Sequence, residues 1–121
     1  MPTPSTPLTL DGLSLDIEAF VSVVAWGRRV ELGDEARARM RASRAVIERA
    51  AASGEAIYGV NTGFGNLANV RVPDDELATL QERLVLSHAA GVGEPLDEPT
   101  VRGMLLLRAN TLARGLSGVR E

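Results

Sequence analysis

Tyr58-Gly59-Val60-Asn61-Thr62-Gly63-Phe64-Gly65 is the stretch on which the reading of this chain turns. With Asn66 it gathers the only tyrosine, three of the twelve glycines and two asparagines into one short segment. So much glycine makes neither a stable helix nor a stable strand, because glycine permits positive φ and close backbone approach at an entropic cost. A lone phenol in such a loop, held between apolar helices, marks a place where binding and catalytic groups sit. The expected fold is mainly α, about four helices around this loop, with short β-strands near the N-terminus.

Outward from the loop, the flanks carry helical signals. Upstream, Asp34 is the expected N-cap of an Ala- and Arg-rich helix reaching about Ser53, with Gly54 at the position that ends it. Ala36, Met40, Ile47 and Ala51 give it a thin apolar face, while Arg37, Arg39, Arg41, Glu48 and Arg49 suggest solvent. Downstream, Pro73 closes the loop and Asp74 can cap a helix in which Leu77, Leu80, Leu84 and His88 recur at helical spacing. Asp97 can cap the last helix, where Val101, Met104, Leu105, Leu106, Leu107 and Leu112 are apolar around most of the circumference. Such a helix needs burial on several sides, so a second chain or a further domain is expected to cover it.

Nearer the N-terminus, Arg28–Leu32 alternates as a short strand, and Ser14 suits the N-cap of a helix ending near Trp26-Gly27. Leu8-Thr9-Leu10 can form an edge strand. Residues 1–7, with three prolines, form a flexible lead-in, and residues 8–121 a single, incomplete domain.

Composition narrows the function. A formal charge of -3 supplies no basic field for a phosphate backbone, which argues against nucleic acid. With no cysteine and one histidine, thiolate chemistry and a histidine-rich metal site are excluded. No apolar run approaches the roughly 20 residues that span a bilayer, and the N-terminus lacks a signal-peptide pattern. A cytoplasmic protein is the default expectation.

Three constellations carry possible chemistry. Gly63-Phe64-Gly65-Asn66-Leu67-Ala68 matches a dinucleotide-binding pattern, but a helix precedes it where that motif requires a strand. Tyr58 reads either as a buried phenol bonded to a carbonyl, which physics alone favours, or as an acid or base. A base near pH 7 requires depressing a phenol by about 3 units, about 4 kcal/mol, through cations or donors aimed at its oxygen. His88 on an apolar helical face reads first as a core histidine bonded to Ser87 or to backbone. The alternative is substrate binding, since a neutral imidazole offers one donor and one acceptor.

Three strings in order, YGVNTGFG at Tyr58–Gly65, LVLSHAAGVGEPL at Leu84–Leu96 and LLLRANTLARGLSGVR at Leu105–Arg120, resemble the aromatic amino acid ammonia-lyases. Within that family the likeness is to the histidine ammonia-lyases. It implies the N-terminal portion of a homotetrameric, mainly helical carbon–nitrogen lyase that eliminates ammonia from a small amino acid. Members use no external cofactor but an internal methylidene-imidazolone (MIO) made from Ala-Ser-Gly. The resemblance makes Tyr58 the catalytic base, Ser87 and His88 the substrate-binding pair, and Gly59, Asn61, Gly63, Phe64 and Gly65 the active-site loop. Ser-His is the histidine-type pair, where tyrosine lyases resemble His-Leu and phenylalanine lyases Phe-Leu, and a polar pair can meet the ring nitrogens of an imidazole. The family's Ala-Ser-Gly lies downstream of Ser117-Gly118-Val119-Arg120. Ala52-Ser53-Gly54 precedes the Tyr58 loop, so the electrophile does not carry over onto it, and these residues are expected to be inactive alone. Two alternatives stay open: a non-catalytic oligomerisation or regulatory module, and part of a tyrosine or phenylalanine ammonia-lyase or aminomutase.

Overall fold

The computed structural model describes residues 5–121, leaving aside the side chains of Leu67 and Asp74. Its elements run β1 (Leu8–Leu10), α1 (Ile17–Val24), β2 (Val30–Leu32), α2 (Asp34–Ala52), α3 (Leu77–His88) and α4 (Glu98–Leu112). Short 3-10 turns at Gly65–Leu67 and Asp74–Glu76 lie between α2 and α3. The fold is therefore four helices with two short N-terminal strands. Two compact units divide the chain, the first running through Val46 and resuming over Pro95–Glu121, the second being Ile47–Glu94.

In the first unit β1 and β2 pair in parallel, Leu8 opposite Val30 and Leu10 opposite Leu32. A parallel pair needs a crossover, and α1 supplies it. Asp11 turns the chain out of β1, its Oδ1 accepting the Leu13 and Ser14 amides at 2.7 and 2.8 Å. Those two bonds hold the Asp11 carboxyl down at about 2. The Ser14 amide closes this turn, and the N-cap of α1 is Asp16, whose side chain accepts from Ala19 at 2.8 Å. The expected cap at Ser14 is thus displaced by two residues. A similar correction applies to α2, where the Gly33 carbonyl accepts from Arg37 N–H, so Asp34 lies inside the first turn.

The core of this unit is Leu10, Val23 and Leu106, flanked by Leu8, Leu15, Phe20 and Leu32. Each such aliphatic side chain contributes roughly 1.5–3 kcal/mol on burial. α1 packs on α4 at Gly103, where a Cβ would stand 2.9 Å from the tip of the Phe20 ring. Arginines expected to face solvent do tertiary work instead. Arg39 donates to the Asp11 and Ala113 carbonyls, and Arg37 and Arg41 both pair with Glu121. Ser43 accepts the Gly118 amide at 2.9 Å, so the segment after α4 is fastened along α2. Upstream of β1, Arg28 donates to the Thr6 and Pro7 carbonyls, while residues 1–4 of the Pro-rich lead-in lie outside the described residues.

α4 begins as expected, Asp97 accepting from Thr100 at 2.8 Å. Only Gly103 and Leu106 of this helix are buried, leaving Met104 59% and Leu105 66% exposed. In the second unit α3 has no buried residue, and the 3-10 turn at Asp74–Glu76 leads directly into it.

Candidate active site

All the residues singled out for chemistry fall in the second unit, on the loop after α2 and at the end of α3. The loop is ordered by its own polar groups. Asn61, 0% exposed, accepts the Ile57 amide on Oδ1 and donates from Nδ2 to the Glu55 carbonyl, both at 2.7 Å. Its backbone amide donates to the Ile57 carbonyl at 3.2 Å and its carbonyl accepts from Val72 at 2.9 Å. One asparagine thus binds both arms of the loop, satisfying groups that would each cost about 1–3 kcal/mol if buried unpaired. Beyond it Gly63 N–H donates to the Val70 carbonyl, and Thr62 bridges antiparallel to Arg71.

Tyr58 stands at the turn this asparagine staples. Val60 N–H donates to the Ile57 carbonyl, and Gly59 has φ +75, a conformation that costs a residue with a side chain. Against the physics-only expectation of a buried phenol, Tyr58 is 65% exposed. Its ring meets Phe64 edge-to-face, centroids 6.1 Å apart and planes at 73°. That arrangement leaves the hydroxyl free of any hydrogen bond among the described residues and fixes the ring from one side. Gly65 follows with φ +59 and opens a single 3-10 turn, so no helix begins at the glycines as dinucleotide binding requires.

Ser87 and His88 end α3, and both are exposed, so His88 is not a core histidine. Ser87 Oγ donates to the Leu84 carbonyl at 2.8 Å, and His88 Nδ1 lies 2.9 Å from the same oxygen and 3.1 Å from Ser87 Oγ. The pair therefore acts as one hydrogen-bonded unit with the His88 Nε2 edge outward. Among the described residues no bond or ring contact joins this unit to Tyr58.

Ala52-Ser53-Gly54 is a helix stop. Ser53 Oγ donates to the Ala50 carbonyl at 2.8 Å, and Gly54 has φ +80. A triad consumed in ending α2 does not fit the role of an internal electrophile. No group of three His, Cys, Asp or Glu among the described residues could hold a metal, and no helix of the described residues is long and apolar enough to cross a membrane. An apolar cavity of about 350 Å³ in the first unit is lined by Leu10, Leu32, Met40 and Leu112, and by none of the residues above.

Residue reasoning overlooked the Leu84 carbonyl, which has no signature in a side-chain pattern. It also passed over the stapling role of Asn61, for which an Asn two residues past a turn glycine is the available signal.

The model of the aromatic amino acid lyase family matches residues 15–121. The histidine ammonia-lyase of Anaeromyxobacter sp. (strain K) is 53% identical over 114 residues, covering 94% of this chain and 22% of that protein. Among solved structures, histidine ammonia-lyase from Trypanosoma cruzi superposes with TM-score 0.84 at 40% identity, over 95% of this chain and 22% of that one. Tyrosine aminomutase from Streptomyces globisporus does so with TM-score 0.87 at 37% identity and the same coverage. The chain thus spans about a fifth of the length of the relatives it matches and shares their fold over that span. This chain belongs to the aromatic amino acid lyase family.

Proposed function

We propose that these residues are the N-terminal part of a histidine ammonia-lyase, within one lyase domain that extends beyond them. Tyr58 is the base, Ser87 and His88 recognise the substrate ring, and Gly59, Asn61, Gly63, Phe64 and Gly65 form the loop that positions the phenol. The observation that carries the reading is that a chain about half identical to histidine ammonia-lyases holds both an exposed phenol on a stapled loop and an exposed, hydrogen-bonded Ser-His unit.

In the reaction Tyr58 accepts the β-proton of histidine, the electron pair of that C–H bond forms the C=C bond, and the C–N bond breaks to release ammonia. The product is urocanate. The family's internal MIO supplies electrophilic activation of the amino group. Ala52-Ser53-Gly54 does not provide it, so these residues are inactive by themselves. Without that activation the β-proton is far too weakly acidic for a phenolate to remove. The full protein works as a cytoplasmic homotetramer with no external cofactor, acting on a small amino acid without nucleic acid or membrane.

The test is an assay of the full-length protein with histidine, following urocanate by its ultraviolet absorbance. Turnover of histidine in preference to tyrosine and phenylalanine supports the reading. Preference for tyrosine or phenylalanine assigns the chain to the lyases or aminomutases of those substrates. A second reading, an oligomerisation or regulatory module, draws on the exposed apolar side chains of α4. It is favoured if the full-length protein forms a stable complex with an active lyase and turns over none of the three amino acids.

A further inference from the structure

The two hydrogen bonds at the end of α3 decide which nitrogen of His88 carries the proton. Nδ1 lies 2.9 Å from the Leu84 carbonyl oxygen, which can only accept. An unprotonated Nδ1 there would set two lone pairs against each other at hydrogen-bond distance. Ser87 does not remove the conflict, because its hydroxyl hydrogen is directed to the same carbonyl at 2.8 Å. Its oxygen, 3.1 Å from Nδ1, is then a second acceptor for the ring proton. The C-terminal end of a helix, the negative end of its dipole, favours a donor at this place as well.

We propose that the Leu84 carbonyl, seconded by Ser87 Oγ, holds neutral His88 as the Nδ1–H tautomer, making its outward Nε2 a hydrogen-bond acceptor for a ligand ring that carries a donor hydrogen. The ligand side of this inference rests on the histidine-lyase reading, in which the donor is the N–H of the substrate imidazole. The tautomer itself does not. An acceptor at Nε2 discriminates against a plain phenyl ring, which has no donor to offer, and against an imidazole methylated on the facing nitrogen. Histidine free in solution favours the Nε2–H form, so the structure demands a reversal that can be read directly.

His88 is the only histidine in the chain, so its ring nitrogens give one unambiguous pair of signals. Long-range proton–nitrogen correlation spectra of the nitrogen-15-labelled chain, recorded at alkaline pH where the ring is neutral, report the tautomer. A majority of Nδ1–H, retained in Ser87→Ala, is the expected result. A majority of Nε2–H, or an even mixture, overturns the proposal, and reversal in Ser87→Ala alone overturns the part assigned to the Leu84 carbonyl. In the full-length protein His88→Gln, whose amide oxygen can still accept, keeps KM for histidine within about threefold, while His88→Leu raises it by roughly tenfold, the worth of one hydrogen bond. Equal KM changes in both variants contradict the acceptor role. Absence of any histidine turnover counts against the lyase reading and leaves the spectroscopic result to decide the tautomer.

Discussion

Asn61 shows how much one buried side chain can organise. Its amide takes a donor from Ile57 and gives one to Glu55, bracketing the turn that presents Tyr58. Asn61→Ala strands both backbone groups and is expected to cost about 2–3 kcal/mol. Hydrogen exchange at the Ile57 amide checks this, with faster exchange in the variant, and unchanged protection would show that the staple is redundant. Gly115 matters in the first unit for the opposite reason, the side chain it lacks. At φ +72, a Cβ would lie 2.6 Å from the Arg39 Cβ, so Gly115→Ala is expected to destabilise by roughly 1–3 kcal/mol in a urea titration. At this scale the sequence was legible where residue type dictates backbone shape, as at Gly54 and Asp97. It was not where a side chain chooses between backbone partners. Ser14 and Asp16 are both competent caps, and residue type does not say that the Ala19 amide goes to Asp16 while Ser14 closes the Asp11 turn.

Among the elements, the turn between β1 and α1 makes a pH prediction. The Asp11 carboxyl, held at about 2 by the Leu13 and Ser14 amides against an ordinary 3.8, is deprotonated more readily folded than unfolded. Its contribution is therefore fully present above about pH 3.8 and is lost as the pH falls through about 2. Thermal melts between pH 5 and 2 should show a smaller loss of Tm in Asp11→Asn, which keeps an acceptor and removes the titration, than in the unaltered chain. Identical slopes would contradict it. Helix spacing revealed α2, α3 and α4 because apolar periodicity survives without tertiary information. The arginines of α2 did not yield to the same logic. A charged face looks the same in sequence whether it meets water or, as at Arg39, two carbonyls from distant parts of the chain.

For the whole molecule, the exposed leucines and methionine of α4 point to association. A helix apolar on nearly all sides leaves Met104 and Leu105 uncovered, and patches of this kind mark interaction surfaces. Light scattering of the isolated chain is expected to show concentration-dependent association that Leu105→Glu weakens while far-ultraviolet circular dichroism stays unchanged. A strictly monomeric chain would contradict it. The family was legible because three long strings stand in order, whereas the exposure of Tyr58 and His88 was not, since apolar spacing alone placed His88 inside. The catalytic assignment remains the part with the most at stake. It is tested most directly by comparing kcat for histidine in the full-length protein with and without Tyr58→Phe. Loss of about 10²–10⁴-fold, with KM little changed, is expected of a general base; turnover retained at the unaltered rate would mean that another group takes the proton.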